Sequence, residues 1–388
     1  MSPNILIVGG GPVGATLALT LQVKGITTTI LEAREQGASH QDQRALALSY
    51  GSRLIFERLG IWSELEPKAT AIDTIHISQR GSLGRSRLQA KDHDQPALGY
   101  VLAYGALTAA LDGALSKLND VSIKYAAEAV TILPGADATT VVYKQAGKMH
   151  SLSSSLVALA DGGRSLGDIP GLQSETKHYG HDALVSKVGC ELPHNNIAYE
   201  RFTPAGPMAL LPNGARDFSL VWTGNQDEIS QLLMLEDEVF LARLHEQFGD
   251  RVGRFLKVGK RLSFPLKFSY LKPVTAPHLV VIGNAAQTMH PVAGQGFNVG
   301  LRDAWELADV IDTTPSAAWG DEAMLKRYQQ VRKADTKGGL LFTDFLVNVF
   351  SNDILGLSGL RSTGLGMLDM LQPVKSHLVG KMSFGSRG

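Results

Sequence analysis

The stretch NILIVGGGPVGATLALTLQVKGITTTILE, residues 4–32, decides the fold. It has the pattern of a short apolar strand, a glycine turn, a helix and a second, β-branched strand that ends in an acid. The turn holds Gly9, Gly11 and Gly14. This G-x-G-x-x-G spacing permits a tight turn, close approach of the backbone to a pyrophosphate and close packing of the helix on the strand. The order of elements therefore predicts a βαβ unit that binds a dinucleotide.

Glu32 closes the stretch where a carboxylate can accept hydrogen bonds from both hydroxyls of an adenosine ribose. The same charge repels a ribose 2′-phosphate, so a phosphorylated nicotinamide cofactor is disfavoured at this site. FAD and NAD both remain at this point. A second anchor far along the chain would distinguish them, because FAD must be held at its adenosine end and again at its ribityl and ring end.

Two later stretches offer such an anchor. The first, SLVALADGG at residues 155–163, is a strand pattern that ends at Asp161. Taken alone, this stretch favours a strand followed by an ordinary Asp-Gly turn. The second, LVVIGNAAQTMHPVAGQGFNVGLRDAWELADVI at residues 279–311, predicts a buried strand that breaks at Gly283, a glycine-rich loop and an amphipathic helix. Such a loop and helix start offer backbone N–H groups to a ligand. An NAD dehydrogenase has no use for this late loop, so the two anchors favour FAD.

Composition limits the other classes of function. The 388 residues predict two domains, or one large domain with an insertion. Lys plus Arg and Asp plus Glu number 37 each, so no broad basic face is expected and nucleic acid is not an expected partner. The single cysteine, Cys190, excludes an internal disulfide, and no metal site is predicted. Neither a leader nor an apolar run of about 18 residues is found, so a cytoplasmic protein with at most peripheral membrane contact is expected.

Several segments together resemble one family of flavoproteins. They are the glycine turn with Glu32, ALADGG at 158–163, GNAAQTMHPVAGQGFNVGLRD at 283–303, DQRALALS at 42–49, AYERFTPAGPMALLP at 198–212 and RYQQVRKAD at 327–335. They are similar to the single-component flavoprotein aromatic hydroxylases. The closest similarity is to the ubiquinone-biosynthesis branch, the 2-polyprenyl-6-methoxyphenol hydroxylase type. The wider family usually has Asp after Gly283, whereas Asn284 stands here, as in that branch.

This resemblance implies roles for individual residues. The first glycines would bind the pyrophosphate, Glu32 the ribose, and the Asp161 segment would lie near the pyrophosphate. Arg44 would lie beside the flavin, Pro291 would pack at its ring, and the backbone around Gln295 would face its pyrimidine edge. The implied cofactor-binding residues are Gly9, Gly11, Gly14, Glu32, Arg44, Asp161, Gly283, Asn284, Pro291, Gly294, Gln295 and Gly296.

Candidate catalytic residues are Arg44, His290 and Pro291. His290 could act as an acid or base, but a role in loop structure or in hydrogen bonding to the backbone explains a loop histidine at least as well.

The function implied by the resemblance is hydroxylation of the aromatic ring of a polyprenyl phenol through a flavin hydroperoxide. FAD would be the cofactor, O₂ the cosubstrate and NAD(P)H or another reductant the transient electron donor. Partners would include other ubiquinone-biosynthesis proteins. Two alternatives stay open: a flavin-dependent dehydrogenase or reductase on the same scaffold, and a flavin-stabilised assembly subunit of a quinone-biosynthesis complex.

The fold class expected is α/β. A Rossmann-like FAD-binding domain with a parallel sheet would comprise residues 1–70, 100–172 and 273–335. An inserted antiparallel sheet at 71–99 and 173–272 would bind substrate, with an apolar wall drawn from Phe202, Pro207, Leu211 and Trp222. The wall residues lie in predicted strands at 198–211 and 218–222, separated by the hairpin signal Asn213-Gly214.

Residues 336–388 would form a helical C-terminal segment. Its apolar pattern fits either a core helix or a helix that docks on lipid.

Overall fold

The computed structural model describes residues 5–81, 84–167, 169–288, 295–333, 335 and 372–385, with the backbone alone at 177–179, 267–268 and 295. The strands, in chain order, are β1 (Ile5–Val8), β2 (Thr28–Leu31), β3 (Ala45–Ser49), β4 (Thr70–Ile72), β5 (Thr74–Gln79), β6 (Arg85–Gln89), β7 (Gly99–Ala103), β8 (Val121–Lys124), β9 (Ala127–Pro134), β10 (Thr139–Gln145), β11 (Lys148–Ser154), β12 (Leu156–Leu159), β13 (Ser174–Cys190), β14 (Ile197–Thr203), β15 (Gly206–Pro212), β16 (Asp217–Asn225), β17 (Phe255–Val258), β18 (Leu262–Leu271), β19 (Thr275–Ala276), β20 (Leu279–Val281) and β21 (Gln287–Thr288). The helices are α1 (Pro12–Val23), α2 (Tyr50–Arg58), α3 (Trp62–Leu65), α4 (Tyr104–Leu115), α5 (Gln226–Met234), α6 (Asp237–Phe248), α7 (Gln295–Asp312), α8 (322–333) and α9 (Gln372–Phe384).

A six-stranded sheet, in the order β19–β20–β12–β1–β2–β8, forms the cofactor-binding part, and all its pairings are parallel except β19–β20. β1 lies in the middle and is buried along its whole length, as its unbroken apolar sequence requires. Apolar residues of α1, α4 and α7 cover one face, and the β9–β10–β11 sheet covers the other. The carboxyl ends of β1, β2, β12 and β20 therefore meet at one edge, where open parallel sheets bind ligands.

A second, larger sheet has the order β21–β18–β13–β16–β15–β14–β5–β6, with β17 also paired to β13. One face packs on α5 and α6 through residues such as Met208 and Phe218. The opposite face packs at Ala198 against Val101 of the small β3–β7–β4 sheet, which belongs to the cofactor side. The large sheet, called the substrate sheet below, therefore directs this second face towards the cofactor-binding part.

The sequence expectation for this sheet was wrong in one respect. Residues 198–211 form two strands rather than one, because a turn at Pro204 and Ala205 separates β14 from β15. Proline lacks the N–H needed for a sheet ladder, and Gly206 adopts a φ of 140° that other residues rarely adopt. The hairpin predicted at Asn213-Gly214 is present between β15 and β16. The α/β class itself is confirmed, while the exact domain boundaries stay a prediction.

α9 joins the two parts. Its Phe384 ring lies 6.1 Å from that of Tyr50 in α2, and Val379 packs with Leu88 of β6. Most of the predicted C-terminal segment lies outside the described residues, so the choice between core and lipid docking stays a prediction. Among the helices the structure describes, none combines the length and the apolar character needed to cross a membrane.

The contact between α9 and α2 requires a glycine. A Cβ added at Gly51 would lie 2.1 Å from the carbonyl oxygen of Ser383. We expect Gly51→Ala to lower stability by about 1–3 kcal/mol through overpacking. The matched control is Gly113→Ala in α4, where a Cβ meets nothing within 4 Å; it should stabilise by about 0.4–1 kcal/mol. Thermal unfolding followed by circular dichroism measures both, and equal melting temperatures for the two variants would contradict the packing described.

Candidate cofactor and active site

A cavity of about 400 Å³ lies at the carboxyl edge of the parallel sheet. The β1–α1 turn, the ends of β2 and β12, and the turn after β20 form its walls. These are the segments that carry the first glycine motif and both predicted later anchors. The fold therefore brings together three stretches that are separated by more than a hundred residues in sequence.

The β1–α1 turn depends on two glycines. Gly9 has a φ of 102°, and a Cβ there would lie 2.6 Å from the Asp161 Cα. A Cβ at Gly14 would lie 2.0 Å from the carbonyl oxygen of Gly9, so the helix could not approach the turn. Gly11 lines the cavity, at the start of α1, where N–H groups lack helix partners and can bind an anion. This cradle suits a pyrophosphate.

Glu32 is buried at the end of β2 and is held in one orientation. Its carboxylate accepts hydrogen bonds from the Gly10 N–H at 2.7 Å and from the Arg34 N–H and Nε at 2.9 and 2.8 Å. Burial alone would raise the pKa of Glu32, but the hydrogen bonds and charge of Arg34 outweigh it and hold the pKa below its usual range. Glu32 is therefore an ionised acceptor on the cavity wall.

Arg44 lies at the cavity wall with half its side chain exposed. Its guanidinium donates to both carboxylate oxygens of Asp42, with Nη2 to Oδ2 at 2.6 Å, and lies 5.3 Å from the centre of the Tyr104 ring. These hydrogen bonds lower the pKa of Asp42, so the pair stays charged. Asp42 and Tyr104 thus hold a cation at the place where the sequence resemblance puts the flavin.

The side chain of Asp161 has a local role. Its carboxylate accepts the N–H groups of Gly163 at 2.8 Å and Ser165 at 2.7 Å, which fixes the turn after β12. Its backbone packs on Gly9 and lines the cavity. Asp161 therefore shapes the site through the main chain, next to the expected pyrophosphate position.

Gly283 and Asn284 form the turn after β20. Gly283 has a φ of 65°, and a Cβ at Gly300 in α7 would lie 3.0 Å from the Gly283 Cα. The Asn284 side chain is exposed at the cavity, where its amide oxygen can accept a hydroxyl. A Cβ added at Gly283 would also meet Val13 of α1. The turn therefore lies against both α1 and α7.

Sequence reasoning missed a buried ionic network behind this turn. Asp303 accepts the Gly283 N–H at 3.0 Å and the Nε of Arg332 at 2.7 Å. Arg332 also donates to Asp335 at 2.7 Å, and Asp335 accepts the Nε of Arg302 at 2.8 Å. Burial raises the pKa of Asp303, whereas Arg302 and Arg332 outweigh burial at Asp335 and lower its pKa. These charged residues lie in two of the segments that carry the resemblance, but the sequence does not indicate that they meet.

Asn298 is a second residue that the sequence did not reveal. It is buried in α7, and its amide oxygen accepts the Ser49 N–H at 2.8 Å and the Ser52 hydroxyl at 2.7 Å. Its amide nitrogen donates to the Ala47 carbonyl at 3.0 Å. Asn298 thereby links the helix after the late loop to β3, the strand that follows Arg44.

His290, Pro291 and Gly294 lie outside the described residues, so their predicted roles at the flavin ring stay predictions. Gln295 begins α7 and Gly296 lies in its first turn. Their backbone N–H groups are consequently at a helix start, the position that binds electron-rich groups.

The substrate sheet contributes an apolar face. Phe202, Pro207 and Leu211 share the face that carries Ala198, as strand alternation and register require. Including Trp222 in this wall was wrong, because it lies on the opposite face and packs 5.9 Å from the Phe240 ring of α6. A shift of one residue reverses the face of a strand side chain, and an apolar run does not reveal its parity.

Glu200 was not singled out from the sequence. It lies between Ala198 and Phe202 on the inward face of β14, and its register partners are Ile77 and Ala209. Burial raises the pKa of its carboxyl to about 8. A carboxyl among apolar strand neighbours can exchange a proton near neutral pH.

The glycine cradle, the ribose acceptor and a second anchor in one cavity suit a cofactor held at both ends, so fold and site define an FAD-binding oxidoreductase. The family model described as "FAD binding domain" matches residues 3–339, and the chain belongs to this family.

Similarity to curated relatives indicates which kind of FAD-binding oxidoreductase this is. The chain is 33% identical over 393 residues to the ubiquinone hydroxylase UbiL of Rhodospirillum rubrum, covering 98% of this chain and 90% of that protein. It is 30% identical over 378 residues to the 3-demethoxyubiquinol 3-hydroxylase of Escherichia coli K12, covering 93% of each. The p-nitrophenol 4-monooxygenase PnpA of Pseudomonas putida DLL-E4 shares the fold, with a TM-score of 0.80 at 18% identity, covering 99% of this chain and 98% of that one. The predicted family, the ubiquinone-biosynthesis flavoprotein hydroxylases, is confirmed, and the protein is an FAD-dependent aromatic monooxygenase.

Glu32 gives a test of the site. We expect Glu32→Gln to weaken FAD binding by roughly 10- to 100-fold, the loss typical of a hydrogen bond to a charged group. Fluorescence titration of flavin-free protein measures this, with circular dichroism as a check of folding. Glu35→Gln, the same change on an exposed neighbour, is the matched control. Equal FAD affinity in wild type and Glu32→Gln would contradict the assignment.

The network behind the late turn gives a second test. Asp303→Asn removes one of the two carboxylates that pair with Arg332 and leaves Asp335 alone between two buried guanidinium groups, so we expect it to destabilise the fold by about 3–5 kcal/mol. Asp309→Asn, on the exposed side of the same helix, should have little effect. Urea unfolding of the FAD-loaded protein measures both, and a midpoint for Asp303→Asn within error of Asp309→Asn would refute the role of the network.

Proposed function

We propose that this protein hydroxylates the aromatic ring of a polyprenyl phenol intermediate in ubiquinone biosynthesis, of the 2-polyprenyl-6-methoxyphenol type. The observation that carries the proposal is similarity along nearly the whole chain to two relatives named for ubiquinone hydroxylation. Contact with other ubiquinone-biosynthesis proteins and with the membrane surface forms part of the same proposal, because a polyprenyl substrate resides in a bilayer.

The cofactor cavity supports an oxygen-transfer reaction. The β1–α1 turn and Glu32 would hold the pyrophosphate and ribose of FAD, and Asn284 a ribityl hydroxyl. Bound FAD would supply oxygen transfer from O₂ by the route that the sequence resemblance implies, with electrons from NAD(P)H or another reductant. The protein's own contribution is to position the ring and to exclude water.

The inward face of the substrate sheet supports an apolar phenolic substrate. Phe202, Pro207 and Leu211 supply an apolar surface on the side that packs against the cofactor-binding part. A ring with a long hydrocarbon tail needs such a surface and few polar contacts.

Glu200 supplies a polar contact on this face. A phenol becomes more electron-rich when it loses its proton, and an electron-rich ring is easier to hydroxylate. A carboxylate whose pKa has risen from the usual range to about 8 is much closer to the pKa of a phenol, which is about 10 in tyrosine, and is a correspondingly better base. We assign Glu200 as the acceptor of the phenol proton: the substrate O–H bond breaks and a carboxyl O–H bond forms.

The function itself is tested in bacterial strains that each lack one ubiquinone ring hydroxylase. We expect expression of this chain to restore ubiquinone and to remove the accumulated intermediate in one of them, as measured by mass spectrometry of lipid extracts. Failure in every strain, with FAD-loaded protein present in each, would overturn the proposal. Turnover of the intermediate without O₂ consumption would instead identify a dehydrogenase.

The role of Glu200 predicts a pH dependence. Because the base form exists only above its pKa, the rate in wild type should rise with pH and level off above about 8. Glu200→Gln should be slower by roughly 10²- to 10⁴-fold, the usual contribution of a general base, and should lose this rise. Glu228→Gln is the control, since burial also raises the pKa of Glu228 but α5 packs on the other face. An unchanged pH–rate profile in Glu200→Gln would exclude the assignment while leaving the overall function intact.

A further inference from the structure

A second cavity, of about 390 Å³, lies on the other face of the substrate sheet, away from the cofactor. Strands β5, β6 and β14 form its floor, and Arg251 reaches it from the segment after α6. Its lining residues include His76, Arg85, Arg87, Tyr199 and Arg251. None of these residues belongs to the cofactor cavity or to the inward face that carries Glu200, so this outer pocket needs an explanation of its own.

His76 is the buried centre of the outer pocket. Only 6% of its surface is exposed, and its Nδ1 has no hydrogen-bond partner among the described residues. Burial, and then the charges of Arg251 and Arg87, lower the pKa of His76 to about 4, so the ring is neutral at physiological pH. A buried polar atom without a partner is costly, and in a pocket it indicates a group that a ligand satisfies.

Three arginine side chains cluster around the outer pocket. Arg87 is paired directly opposite His76 in the β5–β6 ladder, and Arg85 lies two residues before it on the same face. Arg85 and Arg251 form no ion pair with the described residues. The positive charges of Arg251 and of Arg87 on β6 both act to lower the pKa values of His76 and Tyr199. Clustered guanidinium groups repel one another, and a bound anion relieves that repulsion.

We propose that the outer pocket is a binding site for a phosphate-bearing anion. Guanidinium groups match phosphate oxygens with paired N–H donors. The hydroxyls of Tyr199 and Thr74 add donors at the wall, and the neutral ring of His76 can accept the P–OH proton of a monoprotonated phosphate in a hydrogen bond. The pocket is larger than inorganic phosphate, so it has room for the organic part of a phosphate ester. Such an ester is either a soluble metabolite or a phospholipid headgroup.

Calorimetric titration of the FAD-loaded protein with inorganic phosphate and with pyrophosphate, at constant ionic strength, tests the site. We expect saturable binding that Arg251→Gln weakens by roughly 10-fold or more, as for loss of a charge-assisted hydrogen bond. Arg254→Gln removes the same charge three residues away, from an exposed side chain that pairs with Glu191, and should bind as wild type does. No saturable binding in wild type, or equal weakening by both substitutions, would overturn the proposal.

A measurement on His76 tests the geometry without reference to activity. The charged and titratable groups that line the pocket beside it are Arg85 and Arg87 on β6, Tyr199 on β14 and Arg251. A bound anion offsets the arginine charges, so phosphate should raise the pKa of His76, as followed by its imidazole proton resonance. An unchanged His76 pKa at a phosphate concentration that saturates the calorimetric signal would place the anion elsewhere and refute the site.

Vesicles separate the two sources of phosphate. Phosphatidylcholine vesicles with and without phosphatidic acid are sedimented with wild type and with Arg251→Gln. Sedimentation that requires both phosphatidic acid and Arg251 would identify a lipid headgroup, whereas binding of soluble phosphate alone would identify a free phosphate ester. Both outcomes require the saturable, Arg251-dependent phosphate binding described above, and its absence refutes the site whatever the vesicles show.

Discussion

The close approach of Gly9 to Asp161 is the constraint on which the cofactor site depends. The two backbones meet at the ends of neighbouring parallel strands, at a distance that leaves no room for a Cβ. That contact brings the first glycine turn beside the turn after β12. The end of β20 lies one strand further along the same edge, so the order of strands alone puts the late turn at the same cavity. A dinucleotide with two distant ends requires this convergence.

Charge is used in two different ways around the cavity. Glu32 and Arg44 line the cavity and are held by short-range partners, so they present fixed charges to a ligand. Asp303 and Arg332 are buried behind the late turn and fix the direction of one backbone N–H. These two residues therefore act by orienting that N–H. Replacing one of them would leave the other buried charge with fewer partners, which is costly.

The parts that could be predicted from the sequence are those encoded locally. The turn at Gly9, Gly11 and Gly14 specifies its own geometry, and a turn dipeptide specifies a hairpin. The network of Asp303 and Arg332 could not be predicted, because its members are 29 residues apart and meet only through the packing of α7 and α8. The error at Trp222 has a similar cause: the face of a strand residue depends on register with β15, which a single apolar run does not encode.

The parallel sheet has a consequence for folding kinetics. β1 is paired with β2, about twenty residues away, and also with β12, which comes about 150 residues later. Contacts between such distant segments close large loops, and domains rich in them fold slowly. One edge of β1 therefore stays unpaired until at least 159 of the 388 residues have been synthesised. During this time the apolar sequence of β1 can aggregate. The extent of aggregation depends on the rate of synthesis and on chaperones, and not on the stability of the finished fold.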